Sequence, residues 1–256
     1  MPDLVQAAIE GGILRLTLAR PEKKNALTRA MYEALTAALD AARDDRAVRV
    51  VVLAGSGGSF TAGNDLTDFL NDPPTGEDSP VFRFLRAVST FPKPLLAAVE
   101  GPAVGVGTTV LLHCDLVYAA PTARFRLPFV ALGLVPEAAS SLLLPRTVGP
   151  KRAAELLFFG EPFSADEAFQ FGLVNAVVAE GELEARVLAR ARDLAAKPPA
   201  AVRLTKALLR APQAEAVAAT LREEAAHFVD RLGSSEAQEA LTAFLEKRAP
   251  DFSRFD

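Results

Sequence analysis

Residues 48–65 read VRVVVLAGSGGSFTAGND. An apolar run, Val48 to Leu53, is broken only by Arg49. A Gly-rich turn, AGSGGS, follows, and then a second short turn, FTAGND (Phe60–Asp65). The run is too short for a helix of ordinary length and rich in β-branched residues, so it predicts a strand buried on both faces, as in a parallel sheet. Turns poor in side chains let a ligand approach the backbone closely. The N–H of Asn64 is placed to meet a ligand oxygen there. Read alone, the segment fits an ordinary loop better, with Asp65 capping a helix over residues 66–70.

The flanking segments repeat this rhythm. Ile13–Leu18 (ILRLTL) alternates Leu14, Leu16 and Leu18 with Arg15 and Thr17, a half-buried strand. After the polar connection RPEKKNAL (residues 20–27), Thr28 is an expected N-cap, and Met31, Leu35, Leu39 and Ala42 follow at helical spacing. Residues 71–80 (NDPPTGEDSP) predict a loop. KPLLAAVEG (93–101) and DLVYAA (115–120) predict further strands, with a shorter one near 124–127 and a turn at Val135–Pro136. An apolar helix is expected over 108–113. Beyond Pro150 the pattern is mostly helical, with a capping box at Ser164 and Glu167 and a stop at Gly172. One short strand is expected at 173–178, and helices broken at Pro198–Pro199, Pro212 and Gly233 follow. The expected organisation is a core over 1–196 and a helical region over 197–256. The broad apolar faces of that region, Leu204, Ala207 and Leu208 among them, fit either subunit contact or packing on a core of their own.

Composition narrows the chemistry. The 256-residue chain is 50% hydrophobic with net charge −4 and no basic block, which does not suggest nucleic acid as a partner. No signal-peptide pattern opens the sequence, and no apolar run is long enough for a bilayer. The single cysteine, Cys114, permits no intrachain disulfide and fits a reducing cytoplasm. Trp is absent and only His113 and His227 occur, so chemistry is expected from carboxylates, hydroxyls and backbone dipoles. The pair His113–Cys114 reads as a buried helix end rather than a metal site, for want of further ligands. His227 lies among charges and reads as solvated. Phe82, Phe84, Leu85 and Phe91 fit an acyl pocket or plain core.

The second Gly-rich stretch is EGPAVGVGTTVLL (100–112). Its spacing is not G-x-G-x-x-G, which argues against a nicotinamide site. It leaves a buried strand and enters a helix, whose free N–H groups suit a negative oxygen, although tight strand-to-helix packing explains the glycines too. Two N–H donors from separate turns are what an oxyanion hole requires. Glu137, in LGLVPEAASS, has apolar or small neighbours. It fits a general base of raised pKa, or an acid complementing a helix dipole.

RPEKKNALT, FTAGNDL, GPAVGVG, CDLVYAA and FGLVNAVV together resemble the crotonase superfamily, the enoyl-CoA hydratases and isomerases, in order and spacing. The resemblance implies an α/β fold, a crotonase-like spiral of ββα repeats with a C-terminal helical trimerisation region, and trimers or dimers of trimers. It implies a coenzyme A thioester substrate, with coenzyme A part of the substrate and no separate cofactor or metal. The oxyanion donors would be the N–H groups of Asn64 and Val106. Coenzyme A would lie along Lys24, Ala26, Leu27, Ala62, Asp65 and Leu66.

The departures are equally informative. The two glutamates of the hydratases fall here at Thr109 and Phe129. The remaining acid, Glu137, stands where the peroxisomal-type 3-enoyl-CoA to 2-enoyl-CoA isomerases carry their base, and where ring-opening isomerases of phenylacetate breakdown carry Asp. The expected activity is therefore double-bond isomerisation by Glu137. The alternatives are a hydratase-like enzyme and a non-catalytic acyl-CoA-binding member. Val106 stands where many relatives have Gly, a change that keeps the backbone donor.

Overall fold

The computed structural model describes residues 4–255. Two sheets carry the fold. The larger has six strands in the order β1 (Val5–Glu10), β2 (Ile13–Leu18), β3 (Val50–Gly55), β4 (Leu95–Val99), β6 (Leu116–Ala119) and β9 (Ala176–Val177). All its neighbours pair in parallel except β1, which forms an antiparallel hairpin with β2. The smaller sheet joins β5 (Pro102–Val104), β7 (Arg124–Arg126) and β8 (Phe163–Ser164). The chain thus leaves β4 for β5 and β6 for β7, passing from one sheet to the other at each turn, which is the winding of a ββα spiral.

Val50, Val51, Val52 and Leu53 are all buried, as a strand covered on both faces requires. One face of the sheet packs on α1 (Arg29–Asp44) and α3 (Pro80–Ser89); the other is covered by α8 (Leu183–Ala195). Helix α1 starts at Thr28, whose hydroxyl accepts from the Met31 N–H, and buries Met31, Leu35, Leu39 and Ala42. Asp65 caps α2 (Leu66–Asn71), accepting from Thr67 and Asp68. The capping box at Ser164 and Glu167 opens α7 (Ala165–Gln170).

Two expectations need adjustment, and one strand was not expected: β1, which is largely exposed. The helix expected over 108–113 is a short α4 (Val106–Thr109) followed by a 3-10 turn, Val110–His113. The strand expected over 173–178 shrinks to β9. Beyond residue 196 the chain forms α9 (Pro199–Arg210), α10 (Ala214–Leu232) and α11 (Ser235–Leu245). Pro199 occupies the first turn of α9, where its missing N–H costs nothing. Ala225 and Phe228 of α10 and Ala237 of α11 join the main core, so α10 and α11 close the same hydrophobic interior rather than building another. No helix among the described residues is long and apolar enough to cross a membrane.

Candidate active site

The two Gly-rich turns are sewn together. Thr61 N–H donates to the Pro102 carbonyl at 2.9 Å and Val104 N–H to that of Thr61 at 3.0 Å. Glycine is required at this seam. A Cβ on Gly63 would lie 2.9 Å from the Val104 oxygen, and one on Gly107 only 2.5 Å from Thr61 Cγ2. Gly105 adopts φ 55°, ψ −117° and turns the chain so that α4 begins at Val106, a conformation L side chains resist.

Asn64 and Val106 lie on the two sides of this seam. Among the described residues neither main-chain N–H has a protein acceptor, which leaves both donors available to a ligand oxygen. For Val106 this follows from its place at the first position of a helix. Its side chain is buried in the core, so the Val sits there without obstructing the turn. The Asn64 side chain is held by a hydrogen bond from the Tyr32 hydroxyl to its Oδ1. Tyr32 is buried in α1, so the first helix anchors the first Gly turn.

RPEKKNAL closes over the same turn. Ala62 N–H donates to the Lys24 carbonyl at 2.9 Å; Leu27 N–H donates to the Gly63 carbonyl at 2.8 Å, and the Leu27 carbonyl accepts from Asp65 N–H at 2.9 Å. Lys24, Ala26, Leu27, Ala62 and Asp65 therefore form one seam, and Leu66 follows it as the first residue of α2. Arg20 ties it, donating to the Ala26 carbonyl at 3.0 Å and to Asp65 Oδ2 at 2.6 Å. Burial pushes the Asp65 carboxyl up, but the Arg20 hydrogen bond and the N–H groups of α2 outweigh it and leave it below its ordinary value. Asn25, fully buried, donates to Ser56 and Ser59 carbonyls and accepts from Arg20 N–H.

Glu137 lies on the loop before α5 (Ser140–Val148) and is 1% exposed. It does not complement the α5 dipole as an N-cap; Ala139 occupies that position. Its Oε1 accepts from Thr109 Oγ1 at 3.4 Å, and among the described residues Oε2 has no partner. Thr109 and Val106 share α4, so the hydrogen bond places the carboxyl over the helix that offers the Val106 N–H. Burial raises the Glu137 pKa to about 8, the nearby Glu224 carboxylate adds to the rise, and the Thr109 hydroxyl offsets part of it. Glu137 in turn raises the buried Tyr32, whose main perturbation is its own burial. The next two residues, Ala138 and Ala139, both have left-handed backbones, φ 63° and 53°. Strain of this kind, roughly 1–3 kcal/mol per residue, persists only where surroundings enforce it.

The sequence-predicted residues thus fall in two adjoining groups: the seam from Lys24 to Leu66, and Asn64, Val106 and Glu137 around α4. Phe129, at the position of the second hydratase acid, is buried core. Phe84, Leu85 and Phe91 are fully buried core, and Phe82 packs edge-on against Phe228 of α10 at 6.2 Å; none of the four lines the neighbouring cavity. That cavity, about 390 Å³, is bounded by Leu27, Tyr32, Phe69, Asp72, Pro74 and Val81 among others. Sequence reasoning missed Asn25, Tyr32 and Glu224, whose roles depend on partners 31 to 83 residues away. Among the described residues no cluster of three or more His, Cys, Asp or Glu is arranged to hold a metal ion.

A family model described as enoyl-CoA hydratase/isomerase matches residues 8–254. The Enoyl-CoA delta isomerase 2 of Rattus norvegicus is 39% identical over 245 residues, covering 93% of this chain but 62% of its own length. The chain thus spans less than two thirds of that relative. A Probable enoyl-CoA hydratase of Rhodobacter capsulatus is 39% identical over 255 residues, 97% of each chain. The crystal structure of an enoyl-CoA hydratase/isomerase from Pseudoalteromonas atlantica T6c superposes with a TM-score of 0.93 at 45% identity, covering 98% of this chain and 100% of the other.

Proposed function

The chain belongs to the enoyl-CoA hydratase/isomerase family, and on that footing we propose that it converts a 3-enoyl-CoA to the conjugated 2-enoyl-CoA with Glu137 as its single base. The ionised carboxylate removes a proton from C2. The electron pair of that C–H bond passes into the thioester, giving a dienolate with its negative charge on the carbonyl oxygen. The N–H groups of Asn64 and Val106 stabilise that oxygen, an interaction that strengthens as charge develops. Glu137 then delivers the same proton to C4, the double bond settles between C2 and C3, and the carboxylate is regenerated. No water and no second acid are consumed.

The observation that carries this reading is the buried Glu137 carboxylate beside α4. Glu137 is desolvated and raised to about 8, basic enough to abstract a thioester α-proton and acidic enough to return it. The other two acid positions are Thr109, a hydroxyl, and Phe129, which has no proton to exchange. Coenzyme A would follow the seam of Lys24, Ala26, Leu27, Ala62, Asp65 and Leu66. The acyl chain would enter the cavity beside Tyr32 and Phe69. The exposed Leu204, Leu208 and Leu209 of α9 form an apolar patch that suits a subunit contact in a trimer or a dimer of trimers.

Mass analysis of the products tests this. With a 3-enoyl-CoA the proposal expects a product of unchanged mass, formed in D2O with part of the C2 hydrogen retained at C4, because one carboxyl carries it across. Glu137→Gln should lower the rate about 10²–10⁴-fold, the usual worth of a positioned base. A product heavier by one water, formed equally well by Glu137→Gln, would overturn it in favour of hydration.

A further inference from the structure

Glu224 of α10 is 7% exposed, although it stands 87 positions beyond Glu137 in the chain. Its Oε1 accepts from the Ser141 N–H at 2.9 Å and from the Ser141 hydroxyl at 2.5 Å. Ser141 lies in the first turn of α5, two positions after the left-handed Ala138–Ala139 pair that follows the base. From the other side His113 grips the same pair through its Nε2, 2.7 Å from the Ala138 carbonyl oxygen. Burial keeps His113 neutral at ordinary pH, with its pKa lowered to about 4, so its ring donates this hydrogen bond as a neutral group. Glu137 Oε2, Ser140 Oγ and Glu224 Oε2 are all buried without a hydrogen-bond partner among the described residues. Both carboxyls therefore lie in a poorly screened interior, where like charges act strongly on one another.

We propose that Glu224 is a positioning residue for Glu137: it anchors the turn that carries the base, and its negative charge tunes the basicity of the base. The inference rests on the isomerase reading for its catalytic meaning, but not for the coupling itself. The division of roles follows from the donors. Burial raises Glu224 as well, but two hydrogen bonds from Ser141 favour its ionised form and offset part of that rise, whereas Glu137 receives one long bond from Thr109. Of the pair, Glu224 holds the charge and Glu137 takes the proton first. The other titratable groups facing this centre are Tyr32 of α1 and His113 of the 3-10 turn, both neutral, and Glu223 of α10, which acts on Glu224.

The test is a carboxyl ¹³C NMR titration of the full chain labelled at glutamate, with the Glu137 signal assigned by its loss in Glu137→Gln. Glu224→Gln keeps an acceptor for Ser141 and removes the charge. The Glu137 midpoint is expected to fall to lower pH in this variant, and the acidic limb of kcat/KM to move with it while KM stays put. Ser141→Ala, which disfavours the Glu224 anion without touching α10, is expected to shift the midpoint the same way by less, and serves if Glu224→Gln does not fold. A Glu137 midpoint unchanged in both variants overturns the proposal. A midpoint that moves in a protein inactive on any 3-enoyl-CoA sustains the coupling and overturns the isomerase reading instead.

Discussion

One methyl group placed on Gly107 should disable the site without touching any group that does chemistry. A Cβ there would lie 2.5 Å from Thr61 Cγ2 and 3.2 Å from the Thr61 carbonyl oxygen, the first roughly 1 Å inside ordinary carbon–carbon contact. Thr61 has no freedom to retreat. It is buried, its hydroxyl donates to the Asn25 carbonyl at 2.7 Å, and the same oxygen accepts from Gly63 N–H at 3.1 Å. The strain must therefore separate α4 from FTAGND, and with it the Val106 donor from the Asn64 donor. Overpacking of this kind costs about 1–3 kcal/mol of stability. Misplacing one oxyanion donor costs about 3 kcal/mol of barrier, roughly a hundredfold in rate. Gly107→Ala is expected to lose about two orders of magnitude in kcat with a modest fall in melting temperature. Thr61→Ser removes the offending methyl and keeps both hydrogen bonds. Combined with Gly107→Ala it should recover part of the loss, a coupling of about 1 kcal/mol or more by a double-mutant cycle. A Gly107→Ala enzyme at the wild-type rate, or a double variant no better than the single one, would refute this account of the seam.

Stability should depend on the base in a way opposed to activity. The Glu137 pKa rises on folding from 4.5 to about 8, so the favourable burial of its neutral form is fully present below pH 4.5 and lost as pH rises through 8. Glu137→Gln is therefore expected to melt higher than wild type, with an advantage growing between about pH 5 and 8 to roughly 5 kcal/mol; parallel melting curves at every pH would contradict it. Tyr32→Phe removes the hydroxyl that holds Asn64 and should lower kcat about fivefold with KM unchanged, the worth of one hydrogen bond near 1 kcal/mol; an unaltered kcat would show the contact to be idle. Lys206 of α9 donates to the Lys93 carbonyl and to Asp115, each at 2.6 Å. Lys206→Met should cost about 1–2 kcal/mol in a denaturation midpoint while sparing kcat, because Asp115 keeps its ion pair with Arg210 and mainly the Lys93 carbonyl loses its donor.

The parts of the fold legible in the sequence were those with a local cause. The Val50–Leu53 run, the Thr28 and Asp65 caps and the Ser164–Glu167 box are fixed by residues within a few positions of one another. The glycines of the two turns marked where the chain doubles back, and Glu137 stood out because its neighbours are apolar. The rest is held by distant partners. Tyr32 reads as one more apolar position of α1, yet its hydroxyl reaches across 32 residues to Asn64. Glu224 reads as a charge on a helix rich in Glu and Arg, and only the packing of α10 against α5 buries it. β1 was missed because it is an exposed edge with one neighbour, so burial imposes no alternation on it. Phe82, Phe84, Leu85 and Phe91 carried no signal separating pocket from core, since both demand the same apolar side chains.

The central claim is that Glu137 alone shuttles a proton along an acyl-CoA held at Asn64 and Val106. The most direct measurement is the ultraviolet absorbance of the conjugated enoyl thioester after mixing the purified chain with 3-hexenoyl-CoA. The account predicts a rise at a rate set by enzyme concentration, abolished in Glu137→Gln while binding of the thioester persists. Equal rises with and without the Glu137 carboxyl, or no rise despite measurable binding of the same thioester, would contradict it.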